Sequence, residues 1–230
     1  MIDAIMGLEG HFHILVIDDG SPDGTADIVR DKQDEYCTRL FLIEREKKLG
    51  LGTAYIYGFK WGLERDYLYI FEMDADFSHP PKDLLRLFKA CADQDVDVAI
   101  GSRYVDGGGV INWPRNRLIL SKGASLYTKL VTGMPIQDPT AGFICYRREV
   151  LETLDLDKIR FVGYAFQIGM KFLAYKAGYQ LKEVPIQFVE RQYGVSKMHL
   201  GIIREAIIGV LQLRLSSVFR IKPIKQKPTT

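Results

Sequence analysis

Cysteine is scarce in this chain, and the spacing of the cysteines argues against disulfide bonds and against a structural zinc site. The 230 residues contain three cysteines, Cys37, Cys91 and Cys145. Because their number is odd and no two stand in a Cys-x-x-Cys pair, the sequence supports neither a disulfide framework nor a structural zinc site. The pattern favours a reducing compartment.

Long apolar runs are missing as well. No stretch contains about 18 uninterrupted apolar residues, the length that predicts a membrane-spanning helix. Residues 1–10 lack a basic segment followed by a long apolar one, so we expect no secretory signal there. Hydrophobic residues make up 47% of the chain and charged residues 26%, which is ordinary for a globular protein and allows one large α/β domain.

A strong excess of charge of either sign is also absent. The net charge is +2, which gives no support for a nucleic-acid partner. The distribution is uneven, because from residue 190 onward eight Lys or Arg stand against two acids. Positive charge beside apolar residues predicts a surface that contacts phosphates or anionic lipid.

Strand-like apolar runs alternate with helix-like segments along the chain. Strands are predicted at 13–19, 39–44, 67–71, 96–101, 143–147 and 180–189, and helices at 26–32, 53–64, 82–92, 114–132, 166–177 and 199–219. Alternation with short links predicts an α/β fold with a mostly parallel sheet flanked by helices. The three glycines at 107–109 predict a flexible loop.

Two carboxylates separated by one residue follow the predicted strand at 67–71. Asp74 and Asp76 can reach one point in the loop after that strand. Mg²⁺ or Mn²⁺ prefers such oxygen ligands and shares them with water and substrate phosphates. The alternative is that Asp76 or Ser78 caps the helix that follows.

Other predicted strands lie beside acidic loops. Asp18 and Asp19 end the first strand, and Asp138 lies in a tight loop before a later one. Open α/β sheets bind ligands at the carboxyl ends of their strands, so we expect these acids at one edge of the sheet. The alternative for the first pair is that it begins a turn and that Asp23 or Thr25 caps the next helix.

A glycine-rich segment precedes the second helix. Lys48 stands there with Gly50 and Gly52, where backbone N–H groups and an ammonium group suit an anion. A dinucleotide fingerprint needs a third glycine where Tyr55 stands, so the sequence excludes a Rossmann dehydrogenase.

Four further cations are placed for phosphate binding, namely Arg103, Arg117, Arg191 and Lys197. Arg117 lies in the first turn of the helix at 114–132, where a cation opposes the helix dipole unless an anion binds nearby. We expect its neighbour Arg115 to be solvated. Carboxylates for a metal and cations for phosphates are the groups needed to hold a nucleotide diphosphate while its bond to a second group breaks.

The segment at 199–219 is apolar but interrupted by charges. It is too charged to span a bilayer. It is predicted either to lie in a membrane interface, anchored by the basic residues after it, or to pack on the domain core.

Five sequence blocks resemble the inverting family 2 glycosyltransferases, and within them the polyprenol-phosphate mannose synthases. The blocks are VIDDGSPDGT at 16–25, KLGLGTA at 48–54, MDADFSH at 73–79, GSRY at 101–104 and SKM at 196–198. The resemblance implies a GT-A fold, a GDP-mannose donor, a polyprenyl-phosphate acceptor and Mg²⁺ or Mn²⁺ at the Asp-x-Asp motif. The implied product is polyprenyl-phosphate mannose, formed with inversion.

The resemblance also implies roles for individual residues. Metal positions are Asp74 and Asp76, donor-binding positions are Asp18, Asp19, Lys48, Asp74 and Arg103, and catalytic positions are Asp76, Arg117, Asp138, Arg191 and Lys197. Because the acceptor phosphate is already anionic at neutral pH, we expect Asp138 to orient rather than to deprotonate.

The same resemblance organises the chain. Residues 1–198 are expected to form the transferase domain, residues 199–222 an amphipathic helix at the membrane surface, and residues 223–230 a basic tail. The expected location is cytoplasmic and peripheral, at the inner face of the membrane.

One departure from the family pattern lies at the beginning of the chain. Relatives begin with a strand and a Pro-x-Tyr-Asn-Glu type segment that helps to hold the base, and nothing before His13 matches it. We therefore expect the sheet to lack its first strand and nucleotide affinity to be weak. A UDP-glucose-dependent polyprenyl-phosphate glucosyltransferase and a catalytically silent nucleotide-sugar-binding subunit remain open as alternatives.

Overall fold

A computed structural model describes residues 1–159, 161, 163–190 and 200–215. The helices are α1 Ile2–Met6, α2 Thr25–Glu35, α3 Leu51–Leu63, α4 Asp83–Asp93, α5 Arg115–Thr132, α6 Arg148–Thr153, α7 Tyr164–Lys176 and α8 Leu200–Leu215. The strands are β1 Ile14–Asp18, β2 Leu40–Glu44, β3 Tyr69–Glu72, β4 Val98–Ser102, β5 Gly109–Ile111, β6 Ile144–Arg147, β7 Leu181–Pro185 and β8 Gln187–Val189.

The strands form three sheets, and parallel pairing predominates among those described. A four-stranded sheet has the order β3-β6-β4-β7, beside the two-stranded sheets β1-β2 and β5-β8. The pairs β1-β2, β4-β7 and β5-β8 are parallel, whereas β6 runs antiparallel to both of its neighbours. The predicted α/β class is confirmed, with one reversed strand inside the central sheet.

The segment predicted as one strand at 180–189 is divided in two. Its first half pairs with β4 as far as Pro185, and its second half leaves that sheet and pairs with β5. Pro185 does not itself interrupt this ladder, because the backbone N–H of the next residue, Ile186, still donates to the carbonyl oxygen of Ser102 at 2.9 Å. The expected flexible loop at 107–109 is therefore wrong for Gly109, which begins β5.

Both faces of the central sheet are buried. Val98 and Ile100 of β4 belong to one hydrophobic cluster, while Ala99 between them belongs to another. Successive side chains of a strand point to opposite faces, so β4 separates two layers of core. One layer contains α3 and α7, and the other contains α4. A continuous apolar run, without alternation, is the expected sequence of such a strand.

Strands β1 and β3 both pack against helix α3 but do not pair with each other. A Cβ added at Gly58 of α3 would lie 3.3 Å from Ile17 of β1, and one at Gly62 would lie 2.9 Å from Ile70 of β3. Side chains join the two strands, because the His13 ring and the Tyr67 hydroxyl are 2.7 Å apart. Within the described residues no strand lies between β1 and β3.

Helix α8 packs on α7 and also exposes apolar side chains. A Cβ added at Gly209 would lie 2.9 Å from the Cβ of Ala165, so the two helices approach closely. Val210 and Leu213 are buried, whereas Leu215 is 80% exposed. Packing on the core is therefore confirmed for one face of this helix. Among the described helices, none is long and apolar enough to cross a membrane.

The packing around α3 gives a stability prediction. A Cβ at Gly52 would lie 2.4 Å from the carbonyl oxygen of Phe161, so we expect Gly52→Ala to lower the free energy of unfolding by about 1–3 kcal/mol. Gly123 of α5 has no atom within 4 Å of such a Cβ, and Gly123→Ala is expected to raise it by about 0.5–1 kcal/mol. Urea denaturation of both variants measures the difference, and equal stability of the two would contradict this account.

Candidate active site

The Asp-x-Asp segment lies in the loop after β3. The Asp74 Oδ1 accepts a hydrogen bond of 3.2 Å from the Tyr55 hydroxyl, and the Asp74 backbone N–H donates to Nδ1 of His79 at 3.3 Å. Burial lowers the pKa of His79, which keeps the ring neutral and its Nδ1 able to accept. The position of Asp74 is thus fixed from α3 and from the far end of its own loop.

Asp76 forms the turn of this loop. Its Oδ1 accepts hydrogen bonds from the backbone N–H of Ser78 at 3.0 Å and from the Ser78 hydroxyl at 2.5 Å. Phe77 between them has a φ of 61°, a left-handed conformation that is uncommon for a residue other than glycine. Helix α4 begins only at Asp83 and, within the described residues, no side chain caps it. The alternative that Asp76 or Ser78 caps the helix is wrong.

Two carboxylates in one loop suit a divalent cation that is completed by its substrate. Among the described residues no group of three or more His, Cys, Asp or Glu side chains gathers to hold a metal. Mg²⁺ and Mn²⁺ keep several waters and share one or two carboxylates with phosphate oxygens. The donor set of Asp74 and Asp76 fits that use.

Arg103 and Asp138 form a buried ion pair at the same edge. The Arg103 Nε donates to Asp138 Oδ2 at 2.7 Å, its terminal NH₂ donates to Oδ1 at 2.6 Å, and its backbone N–H also reaches Oδ2. Asp138 is fully buried. Burial alone would raise its pKa, but the charge and hydrogen bonds of Arg103 outweigh this and lower the pKa of Asp138.

The loop that carries Asp138 is tied to β7 and α7. The Glu183 carboxylate accepts hydrogen bonds from the backbone N–H groups of Gln137 and Asp138, at 2.7 and 2.8 Å. The Lys171 ammonium donates to the carbonyl oxygens of Ala141 and Gln167, at 2.6 and 2.9 Å. Each end of the loop is therefore held by a charged side chain from another element.

A second buried carboxyl group lies near the loop. Glu72 is 2% exposed and receives a hydrogen bond from the Tyr146 hydroxyl at 3.3 Å. Burial raises the pKa of Glu72 to about 8, although the nearby charge of Lys171 and the amide of Gln167 oppose the rise. No hydrogen bond of normal geometry joins Gln167 to Glu72. Burial likewise lowers the pKa of Lys171 to about 8, against the opposing charges of Glu72 and Asp138.

Arg117 enters the site from the first turn of α5. It forms an ion pair with Glu190, and its guanidinium carbon lies 4.0 Å from the ring centre of Trp113. The sequence predicted that an anion must offset a cation at this helix start, and in the structure Glu190 is that anion. Arg115 is exposed, as expected.

A cavity of about 570 Å³ is lined by some of these groups, whereas Asp76 and Asp138 do not line it. One end is polar and is lined by Asp74, His79, Arg103, Arg117, Thr140 and Gln167. The other end lies between α5 and α8 and is lined largely by apolar side chains, including Ile119, Leu120, Tyr127, Ile207 and Val210. The shape suits a ligand with a charged head and a long apolar tail.

The acids and the lysine predicted near β1 lie away from this cavity. The Asp18 Oδ2 accepts hydrogen bonds from the backbone of Gly20 and Ser21, at 3.0 and 2.9 Å, so this carboxylate begins a turn. Asp19 forms an ion pair with Arg45, and Lys48 is exposed. The turn alternative is thus confirmed for Asp18. Arg191 and Lys197 lie outside the described residues.

Sequence reasoning missed five polar residues that build the site, Glu72, Gln167, Lys171, Glu183 and Glu190. Two signals were available. Gln167 and Lys171 interrupt an otherwise apolar helix, and buried polar groups in such a position need partners. The unfavourable position of Arg117 indicated an anion, but not which one.

Comparison with known proteins identifies the family. The profile described as Glycosyl transferase family 2 matches residues 2–155, and the chain belongs to this family. It is 50% identical over 200 residues to a polyprenol monophosphomannose synthase of Mycolicibacterium smegmatis, covering 87% of this chain and 75% of that protein. It is 45% identical over 204 residues to an undecaprenyl-phosphate mannosyltransferase of Micrococcus luteus, covering 89% and 83%.

Solved structures agree on the fold. Glucosyl-3-phosphoglycerate synthase from Mycobacterium tuberculosis, in complex with Mn²⁺, UDP and glucosyl-3-phosphoglycerate, gives a TM-score of 0.62 at 16% identity, covering 88% of this chain and 68% of that one. A mycobacterial protein gives 0.65 at 17% identity, covering 93% and 68%. These similarities concern the fold alone, and they agree with the expected GT-A fold.

The buried Glu72 predicts a pH dependence of stability. Its pKa is about 8 in the folded chain against 4.5 for the ordinary group, so between these values the folded state binds more protons than the unfolded state. The free energy of unfolding must then fall as pH rises through this range. Lys171 contributes to the pH dependence of the free energy of unfolding only above about pH 8. Below its lowered pKa it is protonated in both the folded and the unfolded state.

Urea denaturation at several pH values from about 5 to 7.5 tests this linkage. We expect Glu72→Gln to lose less stability across the range than the wild type does. Glu46 is exposed, and Glu46→Gln should follow the wild type. Parallel curves for the wild type and Glu72→Gln would show that Glu72 is ionised in the folded protein.

Proposed function

We propose that this family 2 glycosyltransferase transfers mannose from GDP-mannose to a polyprenyl phosphate with inversion. The observation that carries the proposal is a cavity with Asp74, Arg103 and Arg117 at one end and apolar helix faces at the other. The two relatives named as polyprenyl-phosphate mannosyl enzymes support the same acceptor and the same sugar.

The donor diphosphate is assigned to the loop after β3. Asp74 and Asp76 hold Mg²⁺ or Mn²⁺, which when bound supplies positive charge for the leaving diphosphate. Asp18, Asp19 and Lys48 serve the nucleotide side, as the sequence resemblance implies. Arg103 lines the polar end of the cavity with 10% of its side chain exposed, and it contributes fixed positive charge there.

The acceptor phosphate is assigned to Arg117. This guanidinium is held by Trp113 and Glu190 and lines the polar end of the cavity. A phosphate oxygen that binds there replaces Glu190 as the anionic partner of Arg117, which keeps the start of α5 neutralised. Arg191 and Lys197 are proposed to contact phosphate as well, from the part of the chain that the structure does not describe.

No residue of this site needs to act as a strong base. The acceptor phosphate is anionic at neutral pH, so its oxygen can attack without losing a proton first. Asp138 is occupied by Arg103 through both carboxylate oxygens and has a lowered pKa. Its role is to orient Arg103, in agreement with the sequence prediction.

The apolar end of the cavity is assigned to the polyprenyl chain. Beside it, α5 exposes Ile119, Leu126 and Leu130, and α8 exposes Ile208, Leu211 and Leu215. Each set recurs at helical spacing on one side of its helix, and the two helices are in contact through the Tyr127 hydroxyl and the Ile207 carbonyl, 3.1 Å apart. Such a surface suits the bilayer interface.

These features support a peripheral location at the inner, cytoplasmic face of the membrane, where the acceptor head is reached from water. The domain division remains a proposal too. Helix α8 covers Leu200–Leu215, while the proposed boundaries at residues 198 and 222 fall outside the described residues.

A transfer assay tests the proposal. The protein is incubated with polyprenyl phosphate in detergent and with radiolabelled GDP-mannose or UDP-glucose, with and without Mg²⁺ or Mn²⁺. We expect metal-dependent label in the organic phase from GDP-mannose, and a loss of about 100-fold in Asp74→Asn. Asp106 is exposed, and Asp106→Asn should retain the activity.

The outcomes separate the alternatives. Label from UDP-glucose alone would assign a glucosyltransferase. Nucleotide-sugar binding without transfer from either donor would assign a catalytically silent subunit. The anomeric configuration of the product, read from its one-bond carbon–proton coupling, tests inversion, and an α-linked product would contradict it.

A further inference from the structure

A buried carboxamide at the cavity makes no hydrogen bond of normal geometry through either of its polar atoms. Gln167 is 2% exposed and lines the cavity together with Asp74 and Arg103. Within the described residues, neither its Oε1 nor its Nε2 makes a hydrogen bond. The amide lies near the buried carboxyl of Glu72, whose pKa it helps to hold down. A buried carboxamide is normally satisfied on both atoms, and no protein group makes a well-formed hydrogen bond to either atom of this one, so both remain able to bind a ligand group.

The position of Gln167 is fixed by its surroundings. Its carbonyl oxygen accepts a hydrogen bond of 2.9 Å from Lys171 one turn further along α7. The preceding residue, Phe166, stacks on Tyr55 with 6.0 Å between ring centres, and the Tyr55 hydroxyl contacts Asp74. The stacked rings of Phe166 and Tyr55 therefore fix the position of Gln167 relative to the Asp-x-Asp loop.

The side chain also faces the loop of Asp138. A Cβ added at Gly142 would lie 3.4 Å from the Nε2 of Gln167. A glycine at this position therefore leaves room beside the carboxamide. The cavity, the loop and α7 meet at this amide.

The chemistry of a carboxamide selects the kind of ligand group. A phosphate offers only acceptors and would use only the N–H groups of Gln167, and an apolar chain would use neither of its atoms. A sugar hydroxyl both donates and accepts, so neighbouring hydroxyls can satisfy Oε1 and Nε2 together. The unpartnered amide thus fits the polyol part of the donor better than the diphosphate or the lipid.

We infer that the Gln167 carboxamide binds hydroxyl groups of the transferred sugar and determines which sugar the site accepts. The inference rests on the proposed function, since it assigns the sugar of that donor to one side chain. Gln167 is a specificity-determining residue in this account, with no part in proton transfer. A site that hydrogen-bonds a hydroxyl rejects analogues that lack it, because its own polar atoms are then left unpaired.

Gln167→Met keeps the length of the side chain and removes both polar atoms. We expect kcat/KM for GDP-mannose to fall about tenfold, while inhibition by GDP, which keeps the ribose but lacks the mannose, stays within about twofold of the wild type. Gln180 is exposed, and Gln180→Met serves as the matched control with both values unchanged. A purely structural role for Gln167 would weaken GDP and GDP-mannose together.

GDP-mannose analogues that each lack one hydroxyl identify the group that is bound. For the wild type, kcat/KM should be about tenfold lower with one of these analogues than with GDP-mannose. For Gln167→Met, kcat/KM should be nearly the same with that analogue as with GDP-mannose. Unchanged discrimination in Gln167→Met overturns the inference and leaves the proposed function intact. Failure of the wild type to transfer mannose from any of these donors overturns the proposed function, and the inference with it.

Discussion

The site depends on the two-pronged contact between Arg103 and Asp138. A fully buried carboxylate is costly unless a cation neutralises it, and here both carboxylate oxygens receive hydrogen bonds from one guanidinium. Removing one partner of such a pair typically destabilises a protein by about 3–5 kcal/mol, because the other charge is left unpaired. The pair joins the end of β4 to the loop before β6. It also fixes the guanidinium of Arg103, so that this cation lines the cavity in one position.

The surrounding charges follow from that contact. The loop of Asp138 must stay in one position for this contact to form. Glu183 of β7 and Lys171 of α7 hold the loop there by hydrogen bonds. Lys171 in turn lies near the buried Glu72 at the end of β3, so strand ends, loop and helix are linked through buried polar groups. The network places fixed charge at the polar end of the cavity before any ligand binds, which is the preorganisation that electrostatic catalysis requires.

Much of the fold and part of the site could be predicted from local patterns in the sequence. The apolar run of β4 and the acids after β3 were predictable, because each depends on residues close together in the chain. The division of the segment after Pro185 was not open to prediction, because it depends on β5 being available as the partner of the second half. The reversal of β6 and the ion pair of Arg117 with Glu190, 73 residues away, depend on tertiary contacts that no local pattern encodes. Family resemblance supplied roles for Asp74 and Asp138, whereas the unpartnered amide of Gln167 becomes visible only when its neighbours are in place.

One cavity is proposed to bring a nucleotide sugar and a polyprenyl phosphate together, with the lipid chain between α5 and α8. Photo-crosslinking with a polyprenyl phosphate that carries a diazirine on its isoprenoid chain shows where the lipid lies, with the labelled peptides identified by mass spectrometry. The account predicts label on cavity-lining residues such as Ile119, Tyr127, Ile207 and Val210, lost when unlabelled polyprenyl phosphate competes. Label on helices remote from the cavity, such as α2 or α4, or label that resists competition, would contradict it.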